Sequence, residues 1–278
     1  MKNIRFLKIA LFTSITLFAS GLSSSIVINR RPFSNEIVTL RVPEEEHRIL
    51  IVDCESTLYS ELCNLTATYL AQEEIPHSIV KRKYNNLEDI VGSKFNDFDL
   101  LLISGSFKFL PDSPEVKNVA ALLKIAIEEN KYAFGICFGL QLLAYSLDQE
   151  EGKLVKLGSW DKDVKIDIIK NDPIFKNVGK QGDSFFTRQY HYYSVPYSGK
   201  EKLGRGKILA KSKDGIEIIR TGNVVATQFH PESRYASPSA KRIFKNYLKE
   251  FILHKKNKSK RKVKKRVKGK SSLASASI

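Results

Sequence analysis

Cysteine is scarce in this chain of 278 residues, which contains only three: Cys54, Cys63 and Cys137. Three cysteines are too few for the disulfide framework of a small secreted domain. If Cys137 has a chemical role, Cys54 and Cys63 remain as one candidate pair, although two unrelated buried thiols are the simpler interpretation. The hydrophobic fraction of 42% and the aromatic fraction of 10% are typical of a globular protein with a sizeable core.

The amino-terminal part of the chain lacks a hydrophobic run long enough to span a membrane. The apolar run at residues 9–19 has about eleven residues, whereas a spanning helix needs roughly 20. Three basic residues precede this run, and Ala19-Ser20-Gly21 follows as a small-x-small cleavage pattern. We therefore predict that residues 1–25 are a cleaved signal and that the protein is exported, to the periplasm or as a secreted protein. A membrane anchor is the first alternative, and a cytoplasmic protein the second.

Acidic residues are absent from both ends, which explains the net charge of +16. Residues 1–31 contain five basic residues and residues 255–270 contain eleven, with no acidic residue in either segment. The 46 basic residues less these sixteen leave 30, equal to the 30 acidic residues of the chain, so residues 32–254 are neutral. The charge pattern therefore gives no reason to expect a basic nucleic-acid groove across the fold.

The domain organisation follows from these changes of composition. Residues 26–47 are predicted to be a polar lead-in, and residues 48–253 a single folded domain. From residue 254 onward the composition changes to lysine and arginine and then to serine and alanine, so we predict that residues 254–278 are a disordered polybasic tail. Solubilisation is the simplest role for this tail, and contact with nucleic acid or an anionic membrane is the alternative.

Hydrophobic strands and amphipathic helices alternate in the first half of the predicted domain. Strands are expected at 48–53, 77–80, 99–103 and 132–136, with helices at 58–71, 87–91 and 116–130. Later elements are shorter and mostly strands, expected at 164–169, 206–211, 216–220 and 224–229, before a last helix at 240–253. This order predicts an α/β fold with a mainly parallel open sheet flanked by helices and a β-rich carboxyl-terminal half.

One cysteine lies between two glycines where a predicted strand meets a predicted helix, in the sequence GICFG of residues 135–139. This is a nucleophile elbow with sulfur in place of the usual serine oxygen. The flanking glycines relieve the crowding of so tight a turn. Because the helix begins at the cysteine, its unpaired N–H groups and positive dipole end favour a thiolate. Cys137 is therefore the predicted nucleophile.

A cysteine nucleophile needs a base within hydrogen-bond reach and a group that orients the base. Of the five histidines, His230 follows a predicted strand, at the sheet edge where the active sites of open α/β folds lie. Glu232, two residues further on, is placed to hold the imidazole in one tautomer. The tripeptide His-Pro-Glu is weak evidence alone, but together with the elbow it predicts a triad of Cys137, His230 and Glu232.

The sequence GICFGLQ at residues 135–141, together with QFHPES at residues 228–233, resembles the class I glutamine amidotransferase family. The resemblance extends over about residues 48–253 and implies the flavodoxin-like fold of that family. It also implies that Cys137 attacks the γ-carboxamide of glutamine, with His230 as base and then acid and Glu232 as its orienting partner. A γ-glutamyl thioester and ammonia result, and water then releases glutamate. No cofactor and no metal ion are implied.

The resemblance places an oxyanion hole at two backbone segments. One donor is the N–H of Phe138, directly after the nucleophile, and the other comes from Gly105 and Ser106 in a loop after an earlier strand. Many family members have Gly-Gly-Pro in that loop, whereas this chain has Gly-Ser-Phe. Together with GICFG, this loop most resembles the γ-glutamyl peptidase and GMP-synthase-like branch of the family.

Three side chains are assigned to the substrate by the same resemblance. Gln141 matches the glutamine that holds the amino-acid end of the substrate. His191 and Tyr192 lie where the family has a Tyr-His-Ser motif that binds the substrate backbone, and a purely structural role for His191 is equally open. This chain departs from the family pattern at Leu140, usually histidine, and at Tyr192, usually serine. Both departures bear on the choice between free glutamine and a larger γ-glutamyl compound.

Three functional hypotheses follow. The first is a stand-alone hydrolase that cleaves a γ-glutamyl amide, either glutamine or a γ-glutamyl peptide, because the flanking segments are short for a fused synthase and an exported domain would release ammonia away from cytoplasmic synthases. The second is a glutaminase subunit that delivers ammonia to a separate synthase partner. The third is a catalytically silent binding module, against which the complete triad argues.

Overall fold

The computed structural model of the protein describes residues 46–157 and 161–274. The predicted signal at residues 1–25 and nearly all of the predicted lead-in at residues 26–47 lie outside this range. Among the described residues, no helix is both long enough and apolar enough to cross a membrane.

The described residues form strands that alternate with helices in the first half and follow one another in the second. The helices are α1 (Tyr59–Gln72), α2 (Lys117–Glu128), α3 (Phe138–Leu147) and α4 (Pro238–Ala274). The strands up to α3 are β1 (His47–Asp53), β2 (His77–Lys83), β3 (Leu100–Ile103) and β4 (Tyr132–Ile136). The later strands are β5 (Val155–Lys156), β6 (Asp161–Ile168), β7 (Ser184–Tyr190), β8 (Tyr193–Ser194), β9 (Lys202–Leu203), β10 (Gly206–Ser212), β11 (Gly215–Thr221) and β12 (Val224–Thr227).

Ten of the twelve strands in the described residues form one sheet in the order β2-β1-β3-β4-β12-β11-β10-β6-β7, with β9 paired to β10, and β5 and β8 form a separate antiparallel pair. Strands β2, β1, β3, β4 and β12 are parallel neighbours, whereas the pairs from β12 to β7 are antiparallel. This arrangement confirms the predicted α/β fold, with a parallel core flanked by helices and a β-rich second half. The sheet as a whole is mixed because that second half adds antiparallel strands to one side.

Strands β3, β4 and β12 and the central part of β1 are buried on both faces, which explains their hydrophobic sequences, whereas the edge strand β2 is polar and partly exposed. Successive side chains of a strand point to opposite faces, so Ile49 and Leu50 of β1 belong to two separate core layers. Phe244 of α4 packs in the first layer with residues of α1, and Val119 of α2 packs in the second with residues of α3. The domain is therefore a sheet between two layers of helices.

One prediction within the domain is wrong, and one seven-residue strand was not predicted. The segment 87–91 forms a single turn and not a helix, because Gly92 has a φ of 102° and ends the helical path. Strand β7 is absent from the predicted elements. Its buried positions include the polar residues Thr187 and Gln189, while Phe186 is 62% exposed, so the strand carries no regular hydrophobic alternation.

The carboxyl-terminal segment also differs from the prediction. Helix α4 continues to Ala274, past the expected end at residue 253 and through most of the segment 254–278 that we predicted to be disordered. Only residues 275–278 of that segment lie outside the described residues. Lysine and arginine are good helix formers, and no proline interrupts the segment, so a helix already anchored by core packing continues.

Arg220 on β11 joins two acidic side chains, and one of them lies on α4. Its guanidinium lies 2.6 Å from Oδ1 of Asp172 and 2.5 Å from Oε2 of Glu250. The three side chains are 13%, 9% and 26% exposed, so this ion-pair network is largely buried. It connects the outer helix layer to the antiparallel part of the sheet.

We expect Arg220→Leu to lower the free energy of unfolding by about 3 kcal/mol, because it leaves two largely buried carboxylates without their partner. Arg188→Leu is the matched control. Arg188 pairs with Asp161 at 2.8 Å but is 39% exposed, so its loss should cost less than about 1 kcal/mol. Chemical denaturation followed by circular dichroism measures both values, and equal losses would contradict a structural role for the buried network.

Candidate active site

Cys137 occupies a strained turn between β4 and α3, with φ 52° and ψ −98°. A positive φ is unfavourable for a residue with a side chain, and such strain persists only where the surroundings enforce it. Here the N–H of Cys137 donates to the carbonyl of Thr227 at 2.7 Å, and its carbonyl accepts from the N–H of Gln141 at 3.1 Å. The cysteine is therefore held at the carboxyl edge of the parallel strands.

The two glycines that flank the turn, Gly135 and Gly139, both lie where a Cβ atom would come too close to backbone atoms. A Cβ on Gly135 would lie 2.8 Å from the carbonyl carbon and oxygen of Gly139. A Cβ on Gly139 would lie 3.2 Å from the carbonyl oxygen of Ile103 on β3. Because these are backbone atoms that cannot turn away, the GxCxG sequence is a packing requirement of the elbow.

His230 and Glu232 follow β12, the parallel neighbour of β4. Nδ1 of His230 lies 2.8 Å from Oε1 of Glu232, and their side chains are 2% and 1% exposed. With Nδ1–H donating to the carboxylate, Nε2 is left for the nucleophile, and it has no hydrogen-bond partner among the described residues. A Cβ on Gly105 would lie 3.4 Å from Cβ of Cys137 and 3.6 Å from Nε2 of His230. The cysteine and histidine therefore flank one small space.

The electrostatics of this space favour an ion pair. Burial lowers the pKa of His230, but the Glu232 carboxylate and the Cys137 sulfur outweigh it and raise the pKa well above its ordinary value. His230 therefore keeps its proton at neutral pH. A protonated His230 can supply a proton to a group bound in this space.

Gln228 is a neighbour of the nucleophile to which we assigned no role from the sequence. Its buried amide nitrogen Nε2 lies 3.6 Å from Sγ of Cys137 and donates to it. Gln141 orients this amide, because Nε2 of Gln141 donates to Oε1 of Gln228 at 3.5 Å and to the carbonyl of Tyr193 at 3.0 Å. The position of Gln228 two residues before His230 is the sequence signal that could have identified it.

The backbone groups assigned to the oxyanion hole lie at the same edge of the sheet. Gly105 and Ser106 follow β3, and Phe138 is the first residue of α3. Among the described residues, the N–H groups of these three donate no hydrogen bond to the backbone. The hydroxyl of Ser104 accepts from the N–H of Cys54 at 2.9 Å and donates to the carbonyl of Gly105 at 3.0 Å, which fixes the loop. The N–H groups are thus available to an anionic oxygen.

The structure places His191 next to Gln141 but inside a polar network. His191 is 2% exposed; its Nδ1 lies 2.9 Å from the carbonyl of Tyr193, and its Nε2 contacts Oε1 of Gln189. Burial lowers the pKa of His191 to about 4, although the Tyr193 carbonyl opposes this, so the ring is neutral at pH 7. Tyr192 is 42% exposed and lies in the sequence between His191 and Tyr193, which both belong to this network.

The fold and the geometry of the site together define a Cys-His-Glu domain of the amidotransferase type. This chain belongs to the class I glutamine amidotransferase family, whose sequence model matches residues 50–251. The resemblance stated from the two motifs is thereby confirmed.

Relatives in this family are distant and are named as synthases or synthase subunits. The chain is 28% identical over 180 residues to the imidazole glycerol phosphate synthase subunit HisH of Thermotoga maritima, covering 55% of this chain and 80% of that protein. It is 26% identical to the pyridoxal 5'-phosphate synthase subunit PdxT of Clostridium beijerinckii, covering 49% and 72%. It is 27% identical to the glutamine-hydrolyzing GMP synthase of Ehrlichia ruminantium, but it spans only 28% of that longer protein.

Solved structures show the same fold at low sequence identity. A glutamine amidotransferase from Thermotoga maritima has a TM-score of 0.54 and 16% identity, covering 77% of this chain and 86% of that chain. The glutaminase domain of Trypanosoma brucei CTPS with bound acivicin has a TM-score of 0.57, also with 16% identity, covering 76% and 94%.

We expect Gly105→Ala to reduce glutamate release from glutamine by roughly 100-fold, because a misplacement of catalytic groups by about 1 Å has an effect of that size. The added Cβ would lie 2.8 Å from Cε1 of His230 and would displace the imidazole from Cys137. Gly199→Ala is the control, since a Cβ there meets no atom within 4 Å, so its strain at a φ of 86° should lower stability and not the rate of glutamate release. The rate of glutamate release is measured for both variants. An unchanged rate in Gly105→Ala would contradict the close approach of Gly105 to the His230 imidazole.

Proposed function

We propose that this protein hydrolyses the γ-carboxamide of glutamine by acyl transfer through Cys137. The observation that carries the proposal is the buried contact of 2.8 Å between His230 and Glu232, directly beside a cysteine held in a strained turn. A histidine oriented in this way supplies both the base and the acid that amide cleavage needs.

The reaction follows from the positions of these groups. Sγ of Cys137, as the thiolate, attacks the carboxamide carbon, and the carbonyl electron pair moves to the oxygen. His230 gives its Nε2 proton to the departing nitrogen, so the C–N bond breaks, ammonia leaves and a γ-glutamyl thioester remains. His230 then takes a proton from water, the resulting hydroxide attacks the thioester, and the thiolate leaves as glutamate forms. Glu232 remains ionised and holds the imidazole in place.

The N–H groups of Phe138, Gly105 and Ser106 are the proposed stabilisers of both anionic intermediates. Each donor of such a hole typically contributes about 3 kcal/mol to transition-state stabilisation. Gln228 has a related role in the proposal, since its amide donates to Sγ at 3.6 Å and stabilises the negative charge on sulfur. Gln141 orients this amide and is the proposed contact of the substrate.

Two candidates remain for the use of this chemistry. A glutaminase subunit that passes ammonia to a separate synthase is supported by the names of the relatives HisH and PdxT, which are synthase subunits. Hydrolysis of a larger γ-glutamyl compound is supported by Tyr192, which is exposed where the family has a small serine. Leu140 gives no support to the second candidate, because it is fully buried in the core.

Purified protein should release glutamate and ammonia from glutamine, and Cys137→Ala should lower the rate by about 10⁴-fold or more. Cys63→Ala is the matched control, since Cys63 is a buried thiol of the core on α1 and should leave the rate unchanged. Retained activity in Cys137→Ala would contradict the assigned nucleophile. Release from neither glutamine nor any γ-glutamyl compound would identify a catalytically silent binding module.

A substrate panel separates the two candidates within the same assay. Glutamine, γ-glutamyl dipeptides and folate-like γ-glutamyl chains are compared by kcat/KM for glutamate release. A clear preference for free glutamine supports the glutaminase subunit, and a preference for the dipeptides or chains supports the stand-alone hydrolase.

We also propose that residues 1–25 direct export and are removed. The support is the sequence alone, in which a basic segment, a short apolar run and small residues occur in the order of a secretory signal. Mass analysis of the protein from its native cells should give a mature amino terminus near Leu22. A variant with two lysines placed within residues 9–19 should stay unprocessed, and an intact Met1 in the native protein would contradict the proposal.

A further inference from the structure

A second buried carboxyl group lies close to the triad and takes no part in it. Glu217 on β11 is 1% exposed, and its backbone carbonyl accepts from the N–H of Gln228 at 2.9 Å. Ser212 donates its hydroxyl to Oε1 of Glu217 at 2.6 Å, and Gln189 donates Nε2 to Oε2 at 2.7 Å. A buried carboxyl group with two specific partners needs an explanation.

From Glu217 an unbroken series of contacts leads to the proposed glutamine site. Oε1 of Gln189 contacts Nε2 of His191, whose Nδ1 lies 2.9 Å from the carbonyl of Tyr193. The same carbonyl accepts from Nε2 of Gln141 at 3.0 Å. Gln141 in turn contacts the amide of Gln228 that donates to the cysteine sulfur. Glu217 is thus connected to the nucleophile through side chains that do not belong to the triad.

The protons in this series are interdependent. Both ring nitrogens of His191 face oxygen acceptors, one on Tyr193 and one on Gln189, whereas a neutral imidazole has only one N–H. One solution is an imidazolium at His191 with an ionised Glu217. The other is a neutral His191 with the Gln189 amide turned by half a rotation, so that it donates to Nε2 and accepts from a protonated Glu217.

The charges around the network favour the second solution. Burial raises the pKa of Glu217 to about 7, although the hydrogen bonds from Ser212 and Gln189 oppose the rise; Asp214 adds to it and Lys162 opposes it. Asp214 and Lys162 largely offset each other, since they pair at 3.0 Å. Burial also lowers the pKa of His191 to about 4, and His230 acts in the same direction. Between about pH 4 and neutral pH, both groups of the network are therefore uncharged.

We propose that Glu217 is a positioning residue for the glutamine site. Its protonated carboxyl group donates to Gln189, which then donates to Nε2 of His191 and keeps the proton of the ring on Nδ1. That N–H holds the Tyr193 carbonyl in the place where Gln141 also binds it. The inference rests on the proposed hydrolysis of glutamine.

Loss of the proton from Glu217 reverses the hydrogen bonds between Glu217 and Gln189 and between Gln189 and His191. Gln189 then gives its Nε2 to the carboxylate and presents Oε1 to His191, which must move its proton from Nδ1 to Nε2. The Tyr193 carbonyl then loses its donor on Nδ1 and keeps that of Gln141, so it is held less firmly. Substrate binding should therefore weaken as pH rises through the pKa of Glu217, while the triad is left intact.

The first test measures the tautomer of His191 and needs no catalysis. In protein labelled with ¹⁵N-histidine, NMR should show the Nδ1–H tautomer at about pH 6 and the Nε2–H tautomer at about pH 8.5, with His191→Asn used to assign the signal. In Glu217→Gln the amide donates to Gln189 at every pH, so the Nδ1–H tautomer should persist. One unchanged tautomer across this range in the wild-type protein would overturn the proposal, whether or not the protein hydrolyses glutamine.

The second test separates substrate positioning from chemistry. Between about pH 6 and 8.5 the KM for glutamine should rise about fivefold to tenfold, the effect of one lost hydrogen bond, beyond any change seen in Glu217→Gln. At saturating glutamine, kcat should follow the same pH profile in both proteins. Glu250→Gln is the control, because it makes the same change in a carboxyl group that binds Arg220 away from the site, and it should keep the wild-type KM profile. Identical KM profiles in the wild-type and Glu217→Gln proteins would overturn the positioning role.

Discussion

The hydrogen bond from the N–H of Cys137 to the carbonyl of Thr227 is the constraint on which the site depends. It joins the end of β4 to the end of β12, two strands far apart in the sequence and adjacent in the sheet. A residue held at positive φ costs about 1–3 kcal/mol, and the turn persists because the surrounding backbone bonds offset this cost. The same bond places His230, three residues after Thr227, opposite the cysteine.

Around the triad, buried polar side chains of the sheet make hydrogen bonds with one another instead of hydrophobic contacts. Gln189, Glu217 and Gln228 are 0%, 1% and 0% exposed, as fully buried as the core residues of β1. Buried polar groups stabilise a unique arrangement only when each finds its partner, and the series from Glu217 to Gln141 fulfils this condition in one protonation state of the network. In that state the buried polar side chains can determine a single arrangement as well as a hydrophobic core does. They also hold in place the hydrogen-bond donors beside the proposed substrate site.

Those parts of the fold and of the site that depend on one local physical rule could be predicted from the sequence. Strands buried on both faces appear as apolar runs, and the elbow appears as cysteine between two glycines, because backbone atoms of Gly139 and Ile103 leave no room for a side chain. Strand β7 and Glu217 could not be predicted, since polar residues point inward there and find partners on strands distant in sequence. The length of α4 was missed because the composition of residues 254–278 indicated disorder, while helix propensity and the packed first turns determine the conformation.

The insertion of β12 into the interior of the sheet has a consequence for the timing of reactivity. During synthesis the cysteine leaves the ribosome well before the histidine, and until β12 enters between β4 and β11 the thiol has neither its base nor the bond that strains its turn. An incomplete chain therefore has the cysteine without the histidine, and only the completed sheet brings the two together. The order of the strands thus makes assembly of the proposed triad depend on completion of the sheet.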